Sequence, residues 1–540
     1  MTEPSRTADL LARLLHRAGC RHAFGIPGGE VLTVIDALDR AGIEFLLARH
    51  ETPAGFMAEG AHHMTGAPGI LVTTIGPGLA NAVDTIANAW QDRVPLIVVS
   101  GGVDDAEAAS YTHQVIDHCA LMRPITKATF RVAVPGAAPA IFAKALAIAM
   151  SAPFGPVHID IPGSVAAAPA TAPEAADPAL RAPMAPAPGT VLDDMRGWLA
   201  AARRPLIIAG VDAMNDEAGP VLAAISAGHG IPVLTTYKAK GLVDEASPWS
   251  LGGAGLSPLA DRRLLPLVAE ADLVILAGYD PIEMRIAWRD LFAAGQHVVS
   301  LASATGTHGM HRADIECLCD IGAGLTAIFA GYDGAPAWDL DRFAEVKAAL
   351  RADYGADAPW GPAAIVDAAQ SALPADIVAT VDSGAHRIVL SQVWQCRAPR
   401  SLLQSSGFCT MGPSLPLALG AMVAAPGRRA ICFIGDGGLE MVMGELATAR
   451  DLGLPVIILV FVDASYALIE LKQGAMQLPR RGVRFTRTDH VALAAAMGGQ
   501  GWAVRTRAEL EIALGEAMVT TERFSLIACE IAAEDYIGRL

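Results

Sequence analysis

Two carboxylates twenty-seven positions apart, Asp436 and Asp463, carry the clearest chemistry in this chain. Asp436 sits in the turn Gly435-Asp436-Gly437-Gly438, directly after an apolar run from Ala430 to Ile434, and Asp463 closes a second apolar run from Val456 to Val462. Strand, glycine turn, helix and strand in that order make one βαβ unit. Ligands of open α/β sheets bind beyond the carboxyl ends of the strands, so both carboxylates face one crevice. The helix between them begins at Gly437 and Gly438, whose missing side chains let backbone N–H groups approach an anion. Two carboxylates repel a phosphate unless a cation lies between them. Magnesium fits, because it takes oxygen ligands octahedrally and shares them with phosphate. The pattern reads as a site for a metal-bridged diphosphate. Gly-Asp-Gly alone is ordinary loop chemistry; the second carboxylate at the next strand end is what argues for a site.

A third carboxylate, Glu51 in RHETPAGFMAEG, follows a strand and precedes a helix capped by Thr52-Pro53. Apolar neighbours such as Phe56 and Met57 would raise its pKa. A glutamate in a first helical turn also has a purely stabilising reading, and the residue alone leaves both open. Several turns lie at strand ends: Gly25-Ile26-Pro27-Gly28-Gly29, Gly76-Pro77-Gly78 with Asn81, and Asp382-Ser383-Gly384-Ala385-His386. His113-Gln114 and Lys127 fall on loops, and Gly407 to Gly412 leads into an apolar helix from Ser414 to Ala424. Each also reads as plain turn or core.

The elements that hold these residues alternate helix and strand, which predicts α/β domains with doubly wound parallel sheets. The 540 residues are too many for one core. The spacing predicts domains over residues 1–164, 191–332 and 349–540, joined by a Pro- and Ala-rich linker at 165–190 and a looser stretch at 333–348. In the first block the expected helices are Leu10 to Ala18, Val31 to Ala41, one from Pro53 and Gly78 to Trp90; the strands end at Gly25, Ala48, Thr74 and Ser100. The second block shows strands at Leu206, Pro232, Leu273 and His297. The net charge of −16 excludes a basic nucleic-acid surface. No apolar run is long enough to span a membrane. Eight scattered cysteines give neither zinc spacing nor a disulfide framework. The N-terminal stretch reads as a capped amphipathic helix without a signal peptide's apolar core, so a cytoplasmic location is expected.

The Gly-Asp-Gly pattern with its second acidic residue resembles the cofactor motif of thiamine diphosphate-dependent enzymes, in which the second ligand is usually Asn. The resemblance implies that Asp436, Asp463 and the Ser465 carbonyl hold Mg2+ on the diphosphate. Arg-His-Glu with Gly76-Pro77-Gly78 and Asn81 is similar to the family's pyrimidine-binding domain, which implies that Glu51 contacts the aminopyrimidine ring and activates it. It also implies cofactor contacts from Gly28, Pro77, Asn81, Gly384, Ala385, His386, Thr410, Met411, Gly435, Gly437, Gly438, Ser465, Tyr466, Ala467 and Leu468, with Met411 bending the cofactor. The resemblance further implies that Gln114 and His113 lie beside the substrate, with Gly28, Leu468, Ile469 and Glu470. The register leaves open whether Glu470 donates a proton.

The resemblance covers nearly the whole chain as pyrimidine-binding, central Rossmann-like and diphosphate-binding domains. It is closest to the FAD-independent, catabolic type of acetolactate synthase, through FGIPGGE, TTYKAKGLV, AGYDPIE and CTMGPSLPLALGA. FAD is not expected, because Ile208 to Ala213 lacks a glycine fingerprint. The implied activity is decarboxylation of a 2-oxo acid such as pyruvate and ligation to a second carbonyl. A homodimer or a dimer of dimers, with active sites at the subunit interface, is implied too. Alternatives are a decarboxylase releasing aldehyde, a carboligase with another acceptor, or a catalytically silent binding homologue.

Overall fold

A computed structural model describes residues 5–170, 182–306 and 308–540. Its strands form three six-stranded, wholly parallel sheets flanked by helices. The first holds β1 (His22–Gly25), β2 (Glu44–Leu47), β3 (Gly69–Thr73), β4 (Leu96–Gly102), β5 (Ala128–Arg131) and β6 (Val157–Pro162), in the order β2-β1-β3-β4-β6-β5. The second holds β7 (Pro205–Ala209), β8 (Val233–Thr236), β9 (Ser250–Ala254), β10 (Leu273–Ala277), β11 (His297–Ala302) and β12 (Ile315–Leu318), in the order β12-β11-β10-β7-β8-β9. The third holds β13 (Val378–Val381), β14 (Leu402–Gln404), β15 (Ala430–Gly435), β16 (Ile457–Val462), β17 (Gln500–Val504) and β18 (Ser525–Glu530), in the order β14-β13-β15-β16-β18-β17. Counted within each sheet, the first and third orders are the same, so these two blocks share one topology that their sequences do not display.

Central strands such as β3, β10 and β16 are buried along their whole length. That burial explains why they read as unbroken apolar runs: parallel sheets are covered on both faces. The third domain shares a core with each of the others. One core joins its Val389 and Phe433 to Leu206 and Leu276 of the central domain, and another joins Leu417 and Ile434 to Phe56 and Val98 of the first.

The helix Glu51–Thr65 crosses the helix Ser414–Ala424 with backbones in contact. A Cβ on Gly60 would lie 2.3 Å from the Leu417 carbonyl oxygen, and one on Gly420 would lie 2.0 Å from that of Met57. Glycine is needed here for close approach, and the crossing fixes the helix that starts with Glu51.

Three expectations differ in detail. The helix after the glycine turn is two helices, Asp436–Val442 and Glu445–Asp451, and the break brings Gly444 against Arg49, whose N–H donates to Glu445 Oε1 at 2.9 Å. The helix expected over 78–90 likewise divides into Pro77–Asn81 and Val83–Gln91. The boundary drawn between 348 and 349 falls inside the helix Leu340–Tyr354, whose Phe343, Leu350 and Tyr354 pack into the core shared by the central and third domains. Of the linker at 165–190, residues 171–181 lie outside the described residues, as do Met1 to Pro4 of the N-terminal stretch.

Candidate functional site

At the carboxyl ends of β13, β15 and β16 the third domain encloses a cavity of about 390 Å³. Gly384, Ala385, His386, Met411, Gly435, Asp436, Gly437, Gly438, Asp463, Ser465, Tyr466, Ala467, Leu468 and Ile469 all line it. Parallel strands gather these residues because each strand ends, turns and feeds a helix at the same edge of the sheet. Two nine-residue helices, Ala385–Val393 and Ala467–Ala475, start at the cavity.

Asp436 and Asp463 lie together beneath this space. Asp436 Oδ1 accepts from the Gly437 N–H at 2.9 Å and Oδ2 from the Ala464 N–H at 2.7 Å, while Asp463 Oδ1 accepts from the Ser465 N–H at 2.9 Å. Burial pushes Asp436 up to about 6. Burial and then the Asp436 charge push Asp463 up to about 7. Two carboxylates that disfavour each other's ionisation in a buried setting suit a shared cation. Between them Ala464 takes a left-handed φ of +54°, a conformation that costs a non-glycine residue ~1–3 kcal/mol and concentrates at functional sites.

His386 supplies the second kind of group. It stacks on Phe461 with ring centroids 5.1 Å apart, and among the described residues its buried Nε2 has no hydrogen-bond partner. Burial, then Arg387, lower its pKa to about 3, so the ring is neutral at physiological pH. A buried polar atom without a protein partner costs free energy unless water or a ligand satisfies it. Asp382, pushed up to about 7 by burial, accepts from the Gly412 N–H at 2.7 Å through Oδ1, and its Oδ2 also lacks a partner. A Cβ on Gly438 would lie 2.0 Å from that oxygen, and one on Gly437 2.7 Å from the Tyr466 ring, so both glycines are required by close approach. Met411, Leu468 and Ile469 add apolar wall. The donor set fits a cation-bound diphosphate carrying a flat ring.

The remaining sequence-predicted residues are gathered elsewhere, on the first domain. The helix Glu51–Thr65 begins at Glu51 itself; its cap is His50, whose Nδ1 accepts from the Thr52 N–H at 3.2 Å, and not Thr52-Pro53. The Glu51 side chain is buried, and its Oε2 accepts from Asn81 Nδ2 at 3.0 Å. A Cβ on Gly78 would sit 3.3 Å from Glu51 Oε1 and 2.8 Å from the Thr74 methyl; one on Gly28 would sit 2.1 Å from Thr74 Oγ1. Pro77 opens the short helix that ends at Asn81. Gly76 abuts the Gln114 carbonyl, and its N–H donates to His118 Nε2 at 2.9 Å. Gln114 has a left-handed φ of +60° and is exposed; His113 stands edge-on to Tyr111 at 6.4 Å. Glu51, Gly28, Pro77, Asn81 and Gln114 therefore form one cluster, and within a single chain this cluster does not line the Asp436 cavity.

Two residues of the third block, Thr410 and Glu470, and Lys127 of the first lie away from the cavity. Thr410 donates to Asp84 of the first domain at 2.7 Å and does not line the cavity. Glu470 turns away from the cavity to Arg480 and Arg484, and its hydrogen bonds to Arg484 hold its pKa below the usual range. Lys127 donates to the carbonyls of Ile148 and Ser151, each at 2.6 Å. Sequence reasoning missed Phe461 and Tyr536, which both line the cavity. Phe461 is hidden inside an apolar strand, and Tyr536 follows the last strand with no motif around it.

Comparison with known proteins bears on this geometry. Residues 5–121 match the N-terminal TPP binding domain of thiamine pyrophosphate enzymes, 192–328 the central domain and 382–529 the C-terminal TPP binding domain. The chain is 32% identical to the probable 2-ketoarginine decarboxylase AruI of Pseudomonas aeruginosa, over 92% of this chain and 89% of that one. It is 30% identical to the acetolactate synthase isozyme 1 large subunit of Escherichia coli, over 86% and 83%. With the catabolic acetolactate synthase of Raoultella terrigena it shares 29% identity, over 95% and 92%.

Proposed function

The chain belongs to the thiamine pyrophosphate enzyme family and is a thiamine diphosphate-dependent enzyme of the decarboxylase and carboligase class, and we propose that it decarboxylates pyruvate and joins the two-carbon unit to a second carbonyl, as an acetolactate synthase does. The observation that carries the reading is the cavity in which paired carboxylates and the unpartnered Nε2 of His386 converge.

Asp436, Asp463 and the Ser465 carbonyl would hold Mg2+, and His386 with the Gly384 turn would hold the diphosphate. Bound there, the cofactor supplies a carbon nucleophile and an electron sink for loss of carbon dioxide from a 2-oxo acid. Glu51 would present Oε1 to the aminopyrimidine ring, while Asn81 fixes Oε2. Gln114, on its exposed loop, orients the acceptor carbonyl. Met411, Leu468 and Ile469 exclude water from the reacting carbon.

The Glu51 cluster and the Asp436 cavity belong to different regions of one chain, which supports a homodimer or a dimer of dimers whose sites form between copies. Exposed apolar residues support it as well: Phe408, Met441, Met443 and Ile469 near the cavity, and Leu47, Tyr111, Val115 and Ile116 on the first domain. A second copy would cover both sets. We assign no flavin. At the switch point of the central sheet Arg93 of the first domain pairs with Asp212 and with Asp280, the latter at 2.6 Å. No helix among the described residues is long and apolar enough to cross a membrane, and a cytoplasmic setting is proposed with that.

The similarity to a 2-ketoarginine decarboxylase supports a second reading, decarboxylation with release of aldehyde. Supplying Mg2+, thiamine diphosphate and pyruvate and measuring acetolactate against acetaldehyde distinguishes the two. Acetolactate is the expected product; free aldehyde favours the second reading, and no consumption of pyruvate or any longer 2-oxo acid contradicts both.

A further inference from the structure

Glu470 has no part in the chemistry proposed above, yet its carboxylate is tightly bonded. It lies in the first turn of the helix Ala467–Ala475 and is 3% exposed. Its Oε1 accepts from Arg484 Nη2 at 2.6 Å and Arg480 Nη1 at 3.0 Å, and Oε2 accepts from the Ser465 hydroxyl. Both arginines come from residues 476–489, a segment without helix or strand. This strap runs back antiparallel to the turn at 463–466. The Tyr466 N–H donates to the Val483 carbonyl at 2.8 Å, and the Phe485 N–H donates to that of Ala464 at 3.1 Å. Phe485 also leans on Tyr466, with ring centroids 5.4 Å apart.

The strap thus covers the turn that carries Asp463, the left-handed Ala464 and Ser465. Such a backbone persists only where its surroundings over-determine it. Two main-chain hydrogen bonds and the buried Val483 hold the strap along its length, and the Glu470 carboxylate joins strap to turn through charge-assisted bonds, the stronger kind. The exposed Glu534 stands 3.5 Å from Arg484 and contributes a weaker, solvent-screened contact.

We propose that Glu470 is a positioning residue: by clamping Arg480 and Arg484 against Ser465, it fixes the Asp463–Ser465 turn before any cation arrives. The inference rests on reading Asp463 and Ser465 as cation ligands, and it assigns Glu470 a role other than proton donation.

Trypsin tests the clamp in the cofactor-free full chain, because Arg480, Arg481 and Arg484 are exposed cleavage points on the strap. Glu470→Gln keeps the shape and removes the charge, and Arg484→Gln breaks the same contact from the surface. Each should speed strap cleavage after Arg480 and Arg481, the points both variants keep, and weaken binding of Mg2+ with thiamine diphosphate, measured by calorimetry, by about tenfold. With cofactor saturating, the pH profile of kcat and the product ratio should stay as in the parent. Strap cleavage at the parental rate in both variants overturns the proposal, as does a fall in kcat with cofactor affinity unchanged, which marks a proton donor. Asp436→Asn separates the underlying site reading: if that variant binds Mg2+ and cofactor like the parent, the metal site fails while the strap result still stands on its own.

Discussion

Replacing Asp463 with Asn should stabilise the cofactor-free protein at alkaline pH, although it removes a charged ligand. In the folded chain, burial and the neighbouring Asp436 charge raise Asp463 from 3.8 to about 7. The unfolded chain releases this proton near pH 3.8, whereas the folded chain keeps it to about pH 7. The folded state therefore binds more protons between those values, so the group's contribution is fully present at low pH and is lost as pH rises through 7. Roughly three pH units at ~1.4 kcal/mol each make about 4 kcal/mol, an upper figure because the two carboxylates titrate together. The neutral amide of the Asp463→Asn variant would carry no such penalty and could still accept the Ser465 N–H. Thermal melting of both proteins from about pH 3.5 to 8.5 without metal should show similar midpoints at the acid end, and a variant ahead by roughly 5 °C or more near pH 8. Mg2+ with thiamine diphosphate should shrink or reverse that lead, since the cation favours the charged ligand. Equal midpoints at the alkaline end, or a lead that survives saturating cofactor unchanged, would refute the reasoning.

Other outcomes follow from the same geometry. Glu51→Gln should lower kcat by roughly 10²- to 10⁴-fold while cofactor affinity by calorimetry is unchanged, as expected for a group that moves a proton. His386→Ala should weaken cofactor binding by about 10- to 100-fold, the worth of one hydrogen bond to a charged group; with its pKa lowered to about 3, this contribution should not vary between about pH 6 and 9. Gly420→Ala, which would put a Cβ 2.0 Å from the Met57 carbonyl, should destabilise by about 1–3 kcal/mol in denaturant melts. Gly515→Ala, in an exposed stretch of helix with nothing within 4 Å, should be neutral or stabilising by about 1 kcal/mol.

The lining of the Asp436 cavity was legible because its pattern is local. Strands β15 and β16 are apolar runs, and each is stopped by a residue that has no place in a core, so the ends and the carboxylates could be read together. The strands that escaped have physical reasons. β6 interrupts its apolar pattern with His158 and Asp160, which are buried only because Ser100, His118, Thr129 and Arg131 satisfy them. β12 is half exposed, and β14 is three residues long. Tyr536 reaches the cavity from the chain's far end, a placement that no spacing encodes. Glu470 looked like a pocket residue because it opens a helix at the cavity; its partners lie ten and fourteen residues on, in a strap without periodicity. The crossing of Gly60 and Gly420, 360 positions apart, is also invisible until two backbones meet.

The central claim is that Glu51 of one copy serves the Asp436 cavity of another. Mixing subunits tests it directly: Glu51→Gln and Asp436→Asn homo-oligomers should each be inactive, since neither contains an intact pair. Co-refolded or co-expressed together, they should recover about a quarter of parental activity, because half the dimers of a symmetric assembly would be mixed and each mixed dimer would hold one intact site. Activity that stays at the level of the separate variants, in mixtures shown to contain mixed dimers, would contradict the account.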